Sequence, residues 1–152
     1  MKTGDTAPDF ELPDQSGTPR KLSDYLATGP VVLFFYPAAM TPGCTKESCH
    51  FRDLAGEFAE VKAQRLGISA DKVDKQHQFA DKHGLDFPLL SDTDRRVAKA
   101  FGVKRSPSLL PNQRATFVID TDRTVVEVIH SETRMDHHAD RALEVLRARS
   151  ST

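Results

Sequence analysis

The chain has two cysteines, Cys44 and Cys49, and both lie in one stretch, Pro37-Ala38-Ala39-Met40-Thr41-Pro42-Gly43-Cys44-Thr45-Lys46-Glu47-Ser48-Cys49. The reactive form of a cysteine is the thiolate, which attacks electrophiles and, once oxidised, can condense with a second thiol. Before the stretch comes Val31-Val32-Leu33-Phe34-Phe35-Tyr36, an unbroken apolar run of strand-forming residues that fits a central strand buried on both faces. After it, Phe51, Leu54, Ala55, Phe58 and Val61 recur at helical intervals. Pro42 and Gly43 are expected to bar regular structure until about Cys44. Cys44 therefore stands where a buried strand hands over to the first turn of a helix. Free backbone N–H groups and the positive end of the helix dipole favour an anion there. The plainer alternatives are a buried structural cysteine at 44, a helix cap at Thr41, and a small apolar residue on the helix's core face at Cys49. His50, beside Cys49, raises a metal site, but the spacing lacks paired ligands and offers no fourth, so no metal is expected.

The rest of the composition narrows the class. The 152 residues are 38% hydrophobic and 28% charged, with a net charge of −1 and both signs interspersed. This suits a chain able to bury a sizeable core. It gives no bulk charge for holding nucleic acid or polyphosphate. No apolar run approaches the ~20 residues of a membrane span, and Met1-Lys2-Thr3-Gly4-Asp5 has no apolar signal core. A cytoplasmic protein is expected, and in that reducing setting two cysteines read as redox-active rather than as a staple.

The elements that must position the cysteines follow in order. Residues 1–30 alternate short apolar pieces with Pro8, Pro13, Gly17, Pro19, Gly29 and Pro30, which reads as a hairpin or irregular arm with Phe10 and Leu12 inward. A long helix is expected from Gly43 to about Lys62, then a short strand Arg65–Ser69. Ser69 or Asp71 should cap a helix from about Lys72 to His83, closed by Gly84. Phe87–Leu90 is extended. Asp92 opens a helix through Val97, Ala98 and Phe101, closed by Gly102. Residues 104–112, with Pro107 and Pro111, read as a loop. Ala115–Ile119 and Thr124–Ile129 form a hairpin about Asp120–Arg123. Asp136 starts a last helix with Ala139, Ala142, Leu143 and Leu146 on one face, and Arg147–Thr152 is expected to fray. The predicted class is α/β: a single domain over 1–152 with a central mixed sheet and helices on both faces. A reactive cysteine at a strand-to-helix junction in such a pattern suggests the thioredoxin fold.

At these residues the chain resembles a peroxiredoxin, over nearly its whole length. Pro37, Thr41 and Cys44 match the family's Pro-x-x-x-Thr-x-x-Cys motif, and the second cysteine five residues on is similar to the PrxQ or bacterioferritin-comigratory-protein subfamily. Arg114, Thr116, Phe117, Ile119 and Asp120 match the strand that carries the family's distal arginine. Gly4, Ala7, Pro8, Phe10, Gly67-Ile68-Ser69, Leu90-Ser91-Asp92, Phe101-Gly102-Val103 and His137-His138 fall where the subfamily has them. Two departures stand out. Arg123 occupies a turn position that is usually Gly, where a positive φ would cost about 1 kcal/mol. The 104–112 loop is also shorter than in some relatives.

The resemblance implies a peroxiredoxin-type thioredoxin fold and a thiol peroxidase acting on hydrogen peroxide and organic hydroperoxides without metal, haem or flavin. It implies Cys44 as nucleophile and Arg114 as the group that stabilises both the thiolate and the developing oxyanion. Thr41 would hydrogen-bond sulfur or peroxide, and Pro37 would shield the pocket. Glu47 would support Arg114; unless turned onto it, a carboxylate there would oppose the thiolate. Cys49 would resolve the Cys44 sulfenic acid as a Cys44–Cys49 disulfide, which thioredoxin or a similar dithiol would reduce. The expected assembly is a monomer or weak homodimer. His137 and His138 are expected to serve the start of the last helix; His77, His83 and His130 belong to no constellation. Two other readings use the same cysteine pair: a protein disulfide oxidoreductase, which normally has Cys-x-x-Cys, and a redox sensor or holdase.

Overall fold

The computed structural model describes residues 1–104 and 111–150. Its centre is a five-stranded mixed sheet of β3 (Val31–Phe35), β4 (Gln64–Ser69), β5 (Leu89–Ser91), β6 (Ala115–Ile119) and β7 (Val125–His130), in the order β5-β4-β3-β6-β7. β3 pairs in parallel with β4, and β4 with β5, whereas β6 runs antiparallel to both β3 and β7. A separate two-stranded hairpin, β1 (Glu11–Pro13) and β2 (Pro19–Lys21), precedes it.

β3 explains the two-faced core. All five of its residues are fully buried, as an unbroken apolar run requires. Val32 and Phe34 face one cluster, with Phe51, Phe58, Phe79 and the last helix. Val31, Leu33 and Phe35 face the other, with Leu22, Leu26, Val97, Ala98 and Phe101. On the first face lie α2 (Pro42–Asp53), α3 (Ala55–Glu60), α4 (Val73–His83) and α6 (Met135–Ser150); on the second, α1 (Leu22–Leu26) and α5 (Arg96–Ala100). The mixed sheet with helices on both faces is as expected.

Several boundaries differ from the sequence reading, each for a physical reason. Helix α2 begins at Pro42 rather than near Cys44, because proline is favourable in the first helical turn, where its missing N–H had no partner to lose. The helix expected over 43–62 is two helices. Leu54 leaves helical geometry at φ −95°, ψ 19°, although its N–H still reaches the His50 carbonyl at 3.2 Å. Neither Ser69 nor Asp71 caps α4; Lys72 stands at that position without a side-chain cap. Asp92 sits further from its helix than expected. Helix α5 starts at Arg96, yet the Asp92 carboxylate still takes the N–H groups of Val97 (3.2 Å) and Ala98 (2.9 Å). α6 continues through Arg147 to Ser150, held at its end by an Arg149–Asp120 ion pair, so the fraying expected from Arg147 does not occur before Ser150. Gly84 and Gly102 do close their helices, at φ +59° and +76°. Arg123 does take a positive φ, +71°. Of the loop expected over 104–112, residues 105–110, Pro107 among them, lie outside the described residues.

Candidate active site

β3 delivers the chain to the site. Tyr36 continues it, its N–H bonded to the Ile68 carbonyl at 3.1 Å, and Pro37 and Ala38 then lie half-buried at the start of the turn into α2. Asp71 anchors that turn. Its Oδ2 accepts the Ala39 N–H at 2.7 Å and the Ser69 hydroxyl at 2.7 Å. The carboxylate expected to cap α4 instead ties the turn to the end of β4. Below it, the Tyr36 hydroxyl donates to Gln76 Oε1 at 2.5 Å, and Gln76 Nε2 donates to Ser69 and to the Leu90 carbonyl. Met40 holds φ +67° immediately before Thr41. A non-glycine residue pays for that conformation, so the turn is set by its anchors rather than by local preference.

Thr41 stands at the N-cap of α2. Its carbonyl accepts the Thr45 N–H at 2.9 Å, but its hydroxyl donates to the Ala38 carbonyl at 2.7 Å instead of capping the helix. The oxygen keeps lone pairs for a donor. Cys44, in the first turn, is fully buried, and Cys49, in the same unbroken helix, is partly exposed; both are free thiols.

Arg114 reaches Cys44 from the other side. β6 pairs with β3 so that Phe35 faces Ala115 and Phe34 faces Thr116. One step further, Arg114 falls level with Tyr36, where β3 ends. Alternation puts Arg114, Thr116 and Val118 on one face of the strand, and Val118 packs in the cluster that contains Cys44. Arg114 Nη2 lies 3.3 Å from Cys44 Sγ, Nη1 lies 2.6 Å from Glu47 Oε1, and the Arg114 backbone N–H donates to Glu132 Oε2 at 3.0 Å. One planar fork thus holds a sulfur and a carboxylate at once, a geometry that a lysine could not reproduce. Gly43 makes the approach possible: a Cβ there would meet Nη2 at 3.2 Å and Met135 Cε at 3.0 Å.

Behind Arg114 lies His138, which the sequence placed only at the start of the last helix. His138, on α6, is fully buried. Its Nε2 lies 2.8 Å from the Ser131 carbonyl and its Nδ1 lies 2.7 Å from Thr116 Oγ1, with Glu47 Oε2 at 3.7 Å. A carbonyl only accepts, so Nε2 carries the hydrogen, Nδ1 is a lone pair, and Thr116 donates to it. Burial holds His138 down to about 4, which keeps the ring neutral. Burial also pushes the Glu47 carboxyl up to about 8, against the pull of Arg114. Burial alone would lower the Arg114 guanidinium, but Glu47 and Cys44 outweigh it and raise it. A signal for His138 was present in the sequence: it lies four and eight residues before Ala142 and Leu146, on the apolar face of α6.

The structure thus brings together Cys44, Arg114 and Glu47. It places Thr41 and Pro37 in the turn that leads to Cys44, and Cys49 further along α2. His77 pairs with Asp81 at 3.1 Å and His50 with Asp140 at 2.6 Å, both towards solvent. Among the described residues no group of three histidine, cysteine, aspartate or glutamate side chains could hold a metal ion.

Comparison with known proteins agrees with this geometry. Residues 3–128 match the AhpC/TSA family model, and the chain belongs to that family. It is 41% identical over 143 residues to peroxiredoxin Bcp of Escherichia coli, covering 91% of each chain. The crystal structure of peroxidoxin BcpB from Mycobacterium tuberculosis superposes with a TM-score of 0.94 at 67% identity, over 97% of each chain. A bacterioferritin comigratory protein of Xanthomonas campestris, solved in trapped intermediate and ligand complexes bearing on its alkyl peroxide reduction activity, gives a TM-score of 0.85 at 33% identity, over 93% of this chain and 92% of that one. The fold is the peroxiredoxin form of the thioredoxin fold, and the chain lies with the PrxQ and Bcp branch as a peroxidase of the oxidoreductase class.

Proposed function

We propose that the chain reduces hydrogen peroxide and organic hydroperoxides through Cys44, resolves the product with Cys49 in the same chain, and is recycled by thioredoxin or a similar dithiol. The observation that carries the reading is the buried 3.3 Å contact of Arg114 Nη2 with Cys44 Sγ. A fixed cation against the sulfur stands in place for the negative charge that develops as the O–O bond breaks. The Cys44 thiolate attacks one peroxide oxygen and the O–O bond breaks. Cys44 becomes a sulfenic acid, and the other oxygen leaves, with a proton, as water or an alcohol. Thr41 and Pro37 shape the turn beside the sulfur, and Glu47 orients Arg114. The Cys49 thiol then displaces the sulfenic hydroxyl as water, giving the Cys44–Cys49 disulfide, and an external dithiol takes up that disulfide by exchange. The alkyl peroxide reduction of the Xanthomonas campestris relative supports organic hydroperoxides as substrates. The reading also takes the chain as one domain, acting as a monomer or weak homodimer in the cytoplasm.

The test is a coupled assay with thioredoxin, thioredoxin reductase and NADPH, run with hydrogen peroxide and with cumene hydroperoxide. NADPH consumption that depends on both peroxide and Cys44 is expected. A burst of one oxidation per chain without turnover, in the presence of several dithiol donors, would instead favour a sensor that uses the same pair as a switch.

A further inference from the structure

We propose that Glu47 is a positioning residue for the second step. Its carboxyl group, incompletely bonded in the folded site, makes α2 easier to unwind once Cys44 is oxidised. The proposal rests on the Cys44–Cys49 disulfide put forward above.

The need for unwinding is geometric. Cys44 and Cys49 lie in one unbroken helix. Five residues of α-helix turn the second side chain by ~140° from the first and raise it by ~7.5 Å. A disulfide requires Cα atoms within ~7 Å and converging Cβ vectors, so the intact helix forbids the bond. Glu47 lies between the two cysteines, on the segment that must move, and its polar partners Arg114, before β6, and His138, on α6, lie outside that segment.

Those partners do not satisfy it. Oε1 takes Arg114 Nη1 at 2.6 Å, but Oε2 is buried with no hydrogen-bond partner among the described residues. The nearest candidate, His138 Nδ1 at 3.7 Å, is a lone pair already engaged by Thr116, and Nε2 has given its hydrogen to Ser131. His138 therefore presents a polar atom that cannot donate. Arg114 Nε and Ser48 Oγ are likewise buried without partners among the described residues. A buried, half-bonded carboxyl group raises the energy of the state that buries it, because it has lost water and recovered only part of the exchange. Burial outweighing Arg114 in the proton affinity of Glu47 agrees with this. Unwinding α2 returns the carboxyl group to water, where it ionises at neutral pH, and relieves the mismatch. The folded helix is thus stable enough to present Cys44 to peroxide, yet offset towards opening once the sulfenic acid has formed.

The sign separates this from ordinary structural support. A residue that merely stabilised α2 would, on replacement, speed its opening. Glu47→Gln keeps the shape and an oxygen for Arg114 but cannot ionise when α2 opens, so it should slow opening. After rapid oxidation with one equivalent of peroxide, quenching and mass analysis resolve sulfenic acid from disulfide. At neutral pH, disulfide formation in Glu47→Gln should be roughly tenfold slower than in the wild type, as expected for one imperfectly bonded buried carboxyl group. Sulfinic acid should accumulate at lower peroxide, since the sulfenic acid waits longer. Glu47→Asp, which keeps a titratable carboxyl group, should form the disulfide at least as fast as the wild type. Hydrogen exchange of α2 amides in the reduced proteins gives an independent readout, with slower exchange expected in Glu47→Gln. Unchanged or faster disulfide formation in Glu47→Gln overturns the proposal while leaving the Cys49 assignment intact. Absence of any Cys44–Cys49 disulfide in the wild type overturns both.

Discussion

Replacing Glu47 by Gln should change how stability depends on pH, with a direction fixed by the burial of the carboxyl. Arg114 and His138 lie against the group, and Glu132 acts on it electrostatically. The net result pushes its proton affinity up to about 8 from an ordinary 4.5. A carboxyl raised in this way is protonated in the folded chain and ionised in the unfolded one between those two values. Stability contributed by the neutral folded form is therefore complete below the unfolded value and is lost as the pH rises through the folded one. At ~1.36 kcal/mol per decade of affinity, the full effect is on the order of 5 kcal/mol. Gln does not titrate, and His138, common to both proteins, drops out of the difference. Urea denaturation of the reduced proteins at several pH values from 4.5 to 8.5 measures it. The wild type should be weakest relative to Glu47→Gln at the alkaline end and should recover steadily towards acid. A difference that is flat across the range would show an unshifted carboxyl, and one that favours the wild type as pH rises would show that the Arg114 ion pair dominates and holds it low; either refutes the raised carboxyl.

Other expectations follow from the same geometry. Arg114→Ala removes the cation beside Cys44 and should slow the second-order reaction with peroxide by about a hundredfold or more; Arg114→Lys should recover only part, and full activity in either variant would remove Arg114 from the site. Gly43→Ala places a methyl 3.2 Å from Arg114 Nη2 and 3.0 Å from Met135 Cε, which should displace the pinned guanidinium and slow peroxide reduction roughly tenfold while leaving the melting temperature nearly unchanged. A crystal structure or kinetic trace indistinguishable from the wild type would refute that reading. Backbone hydrogen exchange should show residues 44–50 protected in the reduced protein and exposed in the disulfide form; full protection in both, with the intramolecular bond confirmed by mass, would contradict the unwinding of α2.

Much of the architecture could be read from residue patterns, because burial on both faces leaves β3 an unbroken apolar run, and glycines at 84 and 102 sit where left-handed closures are needed. The break at Leu54 could not. Phe51 and Phe58 are buried against the same core on either side of it, so the apolar periodicity passes through without a mark. Helix α1, only five residues long, is hidden by the turn formers around it. In the site, Cys44, Arg114 and Glu47 were legible from the motif and its spacing. Asp71 was misassigned because a polar residue at a helix start reads as a cap, and His138, placed only at the start of the last helix, was given no part in the site. Here both point into the protein, one to hold the turn before Cys44 and the other to back Glu47. For His138 the apolar spacing of α6 held the correction, whereas the reach of Asp71 to Ala39 depends on β3 and β4 lying side by side.

The central claim is that Cys44, held against Arg114, is the atom that peroxide meets first. Rapid mixing with one equivalent of hydrogen peroxide, followed by dimedone trapping and peptide mass analysis, tests it directly in Cys49→Ser and Cys44→Ser proteins. The account predicts a sulfenic acid adduct on Cys44 in Cys49→Ser, formed as fast as the wild type consumes peroxide, and no adduct on Cys49 in Cys44→Ser over the same time. Rapid adduct formation on Cys49 in the Cys44→Ser protein, or a Cys44 that stays reduced in Cys49→Ser, would contradict it.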